Sequence, residues 1–347
     1  KQKTAYEIGV RLVGSEMCIR DSKFAARMLD DKAAPNKRLR RGAVIRVQKS
    51  DKGWQIVQLP DVEAAFVAAS PVDGAIRALV GGFDFNRSKF NHITQAWRQP
   101  GSSFKPFIYS AGLEKGYTPA SVIADEPVSI SAEETGSQAW EPKNYDGKYE
   151  GPMSLRTALA KSKNMVSIRL LRSIGTQYAQ DYVTRFGFDA DKNPPYLTLA
   201  LGAGAVTPWQ QLAAYSIFAN GGYRITPHIV RQIVDDKGTV LAAMQPSLAG
   251  DEALRAIDAR NAWLMDSMMH DVVRRGTATR AAAVLKRGDL AGKTGTTNDY
   301  IDAWFCGYQP TVVGVAWIGF DQPRRMGNGE TGGAAALPIW IGFMEHA

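Results

Sequence analysis

The stretch Gln99-Pro100-Gly101-Ser102-Ser103-Phe104-Lys105-Pro106-Phe107 decides how this 347-residue chain is read. Pro100 and Gly101 interrupt regular structure. Pro106 lacks an N–H, which a helix tolerates only in its first turn. A helix carrying Pro106 therefore begins near Ser102. The electropositive start of that helix favours anionic character on the Ser102 hydroxyl. Lys105 follows three residues later and lies on the same helical face. A serine hydroxyl is a poor nucleophile until an adjacent base takes its proton, and Lys105 is within reach to do so. Taken alone, Ser-x-x-Lys describes a capped helix with an exposed lysine equally well.

Two more segments change that balance. Ser162-Lys163-Asn164 lies in the middle of the chain and Lys293-Thr294-Gly295-Thr296-Thr297 near its end. Leu155 to Ser162 reads as a helical run that Ser162 and Asn164 terminate, inside a longer helical stretch Leu155–Ile174, with Lys163 pointing to solvent. Leu290–Thr297 reads as a strand. Thr294 and Thr296 share one face of it, and Gly295 allows a substrate backbone to approach closely. For Lys105 to act as a base it must be neutral, which costs about 4–5 kcal/mol at pH 7 for a lysine that titrates near 10.4 in water. Burial and a second cation both push that way, and Lys293 supplies the cation if its strand lies beside the helix. The expected site has a neutral Lys105 and a charged Lys293.

The order Ser-x-x-Lys, Ser-x-Asn, Lys-Thr-Gly is the signature of penicillin-binding proteins and class A β-lactamases. The resemblance extends further. Residues Gln99–Phe107 look like the active-serine segment of class A penicillin-binding proteins, as does Lys293–Asp299 followed by Asp302-Ala303-Trp304-Phe305. Trp140-Glu141-Pro142-Lys143-Asn144-Tyr145 is similar to the stretch between the first two motifs. Gly332-Gly333 with Pro338-Ile339-Trp340 resembles the family's C-terminal end. The likeness runs from about Ala64 to Met344 and is greatest to the Gram-negative type-1a group. It implies a peptidoglycan D,D-transpeptidase that forms a serine acyl-enzyme on the D-Ala-D-Ala end of a stem peptide and is acylated by β-lactams. It implies that Ser162 relays a proton to the leaving amine and Asn164 holds the substrate amide. Lys293, Thr294 and Thr296, with Gly295 and Thr297 beside them, would bind the substrate and its carboxylate. The backbone N–H groups of Ser102 and Thr296 would form the oxyanion hole.

Composition sets bounds on the rest. With 22% charged and 45% hydrophobic residues the chain is globular. Its net charge of +8 includes basic runs such as Lys37-Arg38-Leu39-Arg40-Arg41. No nucleic-acid motif accompanies them, so a solvated surface or an anionic cell-envelope partner is the expectation, not nucleic acid. Two cysteines, Cys18 and Cys306, argue against a disulfide framework. Four histidines without ligand spacing predict no metal, and no cofactor is expected. No run reaches the ~18 consecutive apolar residues of a membrane helix. Members of the family carry an N-terminal membrane helix and a glycosyltransferase domain. The resemblance therefore reads this stretch as a fragment, held at the periplasmic face of the inner membrane of a Gram-negative bacterium only through an anchor absent here.

Three regions are expected. Residues 1–22 have no clean period and resemble translated sequencing-adapter read-through, so they are set aside as a non-native leader. Residues 23–62 include strands at Ala43–Val47 and Trp54–Leu59, by resemblance the remnant of an oligonucleotide-binding-like barrel. Residues 63–347 form the transpeptidase domain, with a hairpin Phe66–Ala69/Ile76–Val80. Its helices are expected near Ser102–Lys115, Leu155–Ile174, Tyr178–Phe186, Trp209–Asn220 and Ala259–Arg274, and its strands at Leu290–Thr297, Ala303–Tyr308 and Val312–Gly319. The fold class is α+β, an antiparallel sheet flanked by helices, similar to penicillin-binding proteins and serine β-lactamases. Three rival functions stay open. A class A β-lactamase needs a glutamate to activate water, and between Asn164 and Lys293 the one glutamate is Glu252, in an unsuitable setting. A D,D-carboxypeptidase would use water in place of an amine, and a non-catalytic β-lactam sensor would acylate without turnover.

Overall fold

The computed structural model describes residues 45–50, 53–57, 59–135 and 138–347. The expected leader at 1–22 and the basic run at 37–41 lie outside the described residues. The chain forms two compact units, Lys1–Asp61 and Val62–Ala347. In the first, β1 (Arg46–Ser50) pairs antiparallel with β2 (Gly53–Val57), Ser50 opposite Gly53.

The second unit opens with β3 (Glu63–Ala69) and β4 (Ile76–Val80), joined through the turn at Asp73-Gly74. A short helix α1 (His92–Gln95) precedes the turn Gly101–Phe104 and α2 (Lys105–Glu114). A hairpin of β5 (Val122–Asp125) and β6 (Gly151–Ser154) leads into α3 (Leu155–Ala160) and α4 (Asn164–Ile174). Next come α5 (Thr176–Val183) and α6 (Pro208–Ala219), then a small hairpin of β7 (Gln232–Val234) and β8 (Val240–Ala243). Helices α7 (Ala259–Arg275) and α8 (Thr279–Leu285) precede β9 (Ala291–Thr296), β10 (Asp302–Gln309), β11 (Val312–Gly319) and α9 (Leu337–Met344).

The five long strands form one antiparallel sheet in the order β4-β3-β11-β10-β9. The α+β expectation holds, and so do the three C-terminal strands. Both faces are covered, which explains the near-continuous apolar run of β11. On β10, Phe305 meets Trp340 of α9, while its neighbour Cys306 lies across from Lys293 on the opposite face. Strand alternation makes those two faces unavoidable. Helix α2 is buried from Lys105 to Gly112. A helix buried on all sides belongs in the core, and α2 is fixed there by rings. Phe107 packs against Phe186, Phe188, Tyr215 and Phe218. Helix α6, capped by Thr207 and Gln210 in a reciprocal pair, supplies two of those rings. On α7 the apolar stripe Met265, Met268, Met269 and Val272 is core packing.

One helix expectation fails. The run Leu155–Ile174 is broken: α3 ends at Ala160 and α4 begins at Asn164. Ser162 sits between them at φ +58, a left-handed conformation that a helix cannot continue through.

Candidate active site

The nucleophile segment enters the fold as one tight turn, Gly101–Phe104, leading straight into α2 with Pro106 in the first turn of the helix. Two glycines let this turn press on β9. A side chain at Gly101, whose φ is +55, would begin 2.6 Å from the carbonyl oxygen of Thr296 and 3.2 Å from its nitrogen. A side chain at Gly295 would begin 2.4 Å from the Pro100 carbonyl. Both contacts are shorter than a carbon atom allows, so only glycine fits. The backbones of Ser102 and Thr296, expected as paired N–H donors, are thereby brought together.

The two adjacent serines differ sharply. Ser103 is fully buried; its hydroxyl donates to the Pro100 carbonyl at 2.8 Å and accepts from Gln211 Nε2 at 3.1 Å. Tyr215 donates to the Ser103 carbonyl at 2.6 Å. Ser102 is partly exposed, and among the described residues its hydroxyl has no hydrogen-bond partner. Ser103 is held by packing and hydrogen bonds, and the Ser102 hydroxyl is left unengaged by the described residues.

Lys105 has no exposure at all. Its Nζ donates to the Ser162 carbonyl at 2.6 Å, Asn164 Oδ1 at 2.7 Å, the Lys163 carbonyl at 3.2 Å and Ser162 Oγ at 3.4 Å. Lys293 Nζ, equally buried, donates to the same Ser162 Oγ at 2.8 Å and to the Thr294 carbonyl at 3.1 Å. Ser162 thus sits between two lysines, and four of the expected residues form one cluster. Burial first, and the Lys293 charge second, hold Lys105 well below the ordinary lysine range. Burial brings Lys293 down to about 7. The Lys105 shift favours the amine that a general base requires; the expected full charge on Lys293 is corrected to a near balance of ammonium and amine at pH 7, because its strand position is dry.

The expectation for Lys163 is overturned. It does not point to solvent: it is 3% exposed, with its ammonium among Asp125 at 3.2 Å, Glu150 at 2.9 Å and Asp146 at 3.4 Å. A carboxylate cage makes burial tolerable for a charge that otherwise could not leave water. Asn164 opens a helix instead of closing one. Its N–H donates to Asn144 Oδ1 at 2.8 Å and its side chain to the Lys143 carbonyl at 2.8 Å. Asn144 in turn donates to Asp125 at 2.6 Å.

On β9 the alternation is as expected, Thr294 and Thr296 on one face. Lys293 and Gly295 occupy the other, toward the nucleophile. Thr294 Oγ1 hydrogen bonds Thr277 Oγ1 at 2.6 Å, and Thr296 Oγ1 accepts from the Gly332 N–H at 3.0 Å. Thr297 Oγ1 accepts from the Asp302 N–H at 2.8 Å and closes the β9–β10 connection. Of the expected strand residues, Lys293 joins the cluster through its side chain; the hydroxyls of Thr294 and Thr297 are engaged elsewhere. Strand β9 is also the edge of the sheet, so its outer side faces no further strand.

Sequence reasoning missed the supports. Asp125, Asn144, Asp146 and Glu150 hold the Ser162–Asn164 loop. Arg98 donates to buried Asp302 at 2.7 Å, and Trp317 Nε1 donates to the same oxygen at 2.9 Å, anchoring the far end of β9. The available signals were the resemblance of Trp140–Tyr145, which contains Asn144, and that of Asp302–Phe305, which contains Asp302.

Among the described residues, no helix is long and apolar enough to cross a membrane. Comparison with known proteins agrees with this geometry. Residues 64–339 match the family model described as the penicillin-binding protein transpeptidase domain, and residues 4–62 match the penicillin-binding protein OB-like domain. Penicillin-binding protein 1A of Neisseria gonorrhoeae is 52% identical over 324 residues, an alignment covering 93% of this chain and 40% of that protein. The chain therefore spans well under half the length of such curated relatives. The crystal structure of penicillin-binding protein 1A from Haemophilus influenzae superposes with a TM-score of 0.82 at 37% identity, over 87% of this chain and 50% of that one. The PonA1 protein from Mycobacterium tuberculosis, solved in complex with penicillin V, gives 0.70 at 26% identity over 83% and 78%. With a family match across most of its length and the α+β fold of these relatives, the chain belongs to the penicillin-binding protein transpeptidase domain family.

Proposed function

We propose that the chain is a peptidoglycan D,D-transpeptidase that works through Ser102. Neutral Lys105 takes the Ser102 proton as Oγ attacks the penultimate D-Ala carbonyl of a stem peptide. The Ser102 and Thr296 N–H groups receive the oxyanion. Ser162, hydrogen bonded to both Lys105 and Lys293, passes a proton to the departing D-Ala amine and recovers one from the protonated Lys105, and Asn164 holds the substrate amide. An amine of a neighbouring stem then attacks the acyl-enzyme; the cross-link amide forms, the ester bond to Ser102 Oγ breaks, and the amine's proton returns to that oxygen through Ser162 and Lys105. The edge of β9, from Lys293 through Thr294, Gly295, Thr296 and Thr297, offers the extended peptide a strand to lie against, with Lys293 and Thr296 near its carboxylate. The observation that carries this reading is the single cluster of Lys105, Ser162, Asn164 and Lys293, one turn of helix from an unengaged Ser102.

β-Lactams acylate the same serine in this account, and the PonA1 complex with penicillin V supports extending that chemistry to this chain. The work would be done on the periplasmic face of the inner membrane, as suits a relative of Neisseria penicillin-binding protein 1A. The same proposal places the transpeptidase domain at 63–347 and the OB-like remnant at 23–62, with 1–22 outside the fold even though the OB-like family match begins at residue 4. Deleting 1–22 should leave the melting temperature within about a degree, since changes away from packed features are worth under ~0.5 kcal/mol.

Incubation with a stem pentapeptide ending in D-Ala-D-Ala and an amine acceptor tests the activity. D-Ala release with a cross-linked product is expected. Hydrolysed tetrapeptide alone would make it a carboxypeptidase, and no product despite β-lactam acylation would make it a sensor. Rapid repeated hydrolysis of penicillin would make it a β-lactamase.

A further inference from the structure

The residue between Ser162 and Asn164 joins two environments. Its carbonyl accepts from Lys105 Nζ at 3.2 Å and from Ser167 Oγ at 2.7 Å, while its ammonium sits among three carboxylates. Those carboxylates are unequal. Asp146 and Glu150 are 47% and 39% exposed, so water screens them. Glu150 also binds Lys161 at 2.5 Å. Asp125 has no exposure; apart from Lys163 it accepts from Asn144 Nδ2 at 2.6 Å and from the Glu150 N–H at 3.0 Å. An uncompensated charge in such a dry place acts over many ångströms.

We propose that Lys163 is a positioning residue for the general base: by neutralising buried Asp125 from behind the Ser162–Asn164 loop, it leaves Lys105 facing no net negative charge. The inference rests on Lys105 being the base for Ser102 acylation. Ser162, Asn164 and the Lys163 carbonyl bond Lys105 directly, and the charged groups that act on it are Lys293 from β9 and Asp125 from β5, the latter from beyond the loop. Tyr109, on its own helix, is pushed up by burial and stays neutral; Cys306, beside Lys293, is pushed up by burial and stays a thiol. Lys293 opposes a proton on Lys105, and Asp125 favours one. Lys163 itself keeps its charge. Burial works against the ammonium, but its bonds to Glu150 and Asp125 more than offset that and raise its pKa.

The test is the rate of acylation by labelled penicillin between pH 6 and pH 10 for the full chain and four variants. Lys163→Met should move the midpoint of the profile up by about one pH unit, slowing acylation about tenfold at pH 7 and restoring it near pH 9. Lys163→Arg keeps the charge and should keep the wild-type midpoint. Lys163→Met with Asp125→Asn removes both charges and should bring the midpoint back to the wild-type value or below. A loss of rate in Lys163→Met with an unmoved midpoint would reduce Lys163 to scaffolding. A double variant that keeps the alkaline shift would also overturn the proposal. If Lys163→Met does not fold, Asp125→Asn alone decides: its midpoint should fall, and an unmoved or raised one contradicts the mechanism. A wild-type chain that penicillin does not acylate at Ser102 would refute the transpeptidase reading instead, a separate result.

Discussion

Lys105 and Lys163, 58 residues apart, are both almost wholly withdrawn from water, yet their surroundings push them toward different charge states, one toward the amine and the other toward the ammonium. Around Lys105 the partners are carbonyls, an amide oxygen and a hydroxyl, with a second lysine close by. None of these oxygens carries a full charge to hold an ammonium against burial, and Lys293 repels one. Around Lys163 the partners are carboxylates, which favour an ammonium enough to overcome its burial. The two meet at the Lys163 carbonyl. Burial works against the charge on both lysines; at Lys163 the bonded carboxylates more than offset it, and at Lys105 no carboxylate is bonded to do so.

Substitutions can break this comparison at either end. The largest effect should come from Lys105→Met. Loss of a positioned base costs about 10²–10⁴ in rate, so penicillin acylation should nearly vanish. The melting temperature should stay within a few degrees, because relief from a dry amine offsets the lost bonds to Ser162 and Asn164. A large rate loss accompanied by unfolding would instead cast Lys105 as structural.

Lys163→Met should show the reverse balance. Removing one partner of a buried ion pair costs about 3–5 kcal/mol, here by stranding Asp125. A fall of roughly 10 °C in melting temperature is expected for a unit of this size. A variant as stable as wild type would mean that the cage is not dry.

The smaller effect concerns Lys293, and its sign follows from proton counting. Its folded value of about 7 lies below the ~10.4 of an unfolded lysine. Between those pH values the unfolded chain binds more protons, so stability rises with pH across that window. Urea melts at pH 7 and pH 9.5 should show the rise. Lys293→Met should lessen it, the remainder coming from Lys105, and raise stability at pH 7, in keeping with functional groups that cost stability. A slope unchanged by the substitution would leave Lys293 charged in the folded protein.

The same contrast explains what was legible in the sequence. Ser102 and Lys105 were readable because their relation is local: three residues on a helix whose start Pro100, Gly101 and Pro106 mark. The strands β9, β10 and β11 were readable from apolar content and turn residues. Lys163 was not. Both its neighbours belong to the site, so a side chain between them is expected to point away, and away was taken to mean solvent. Its cage comes from Asp125, Asp146 and Glu150, whose approach depends on the β5–β6 hairpin. The break at Ser162 was hidden for a different reason. Serine is not a residue that announces a left-handed turn. Its conformation is imposed from outside, by Lys105 donating to its carbonyl at 2.6 Å. Such strain, worth roughly 1–3 kcal/mol, persists only where surrounding contacts overdetermine it.

The most direct test of the account is to map the adduct that labelled penicillin leaves on the chain. Mass spectrometry of the digested protein should find one penicilloyl group per chain, on Ser102, absent from Ser102→Ala and kept in Ser103→Ala. An adduct on Ser103 or Ser162, or no adduct at all, would contradict it.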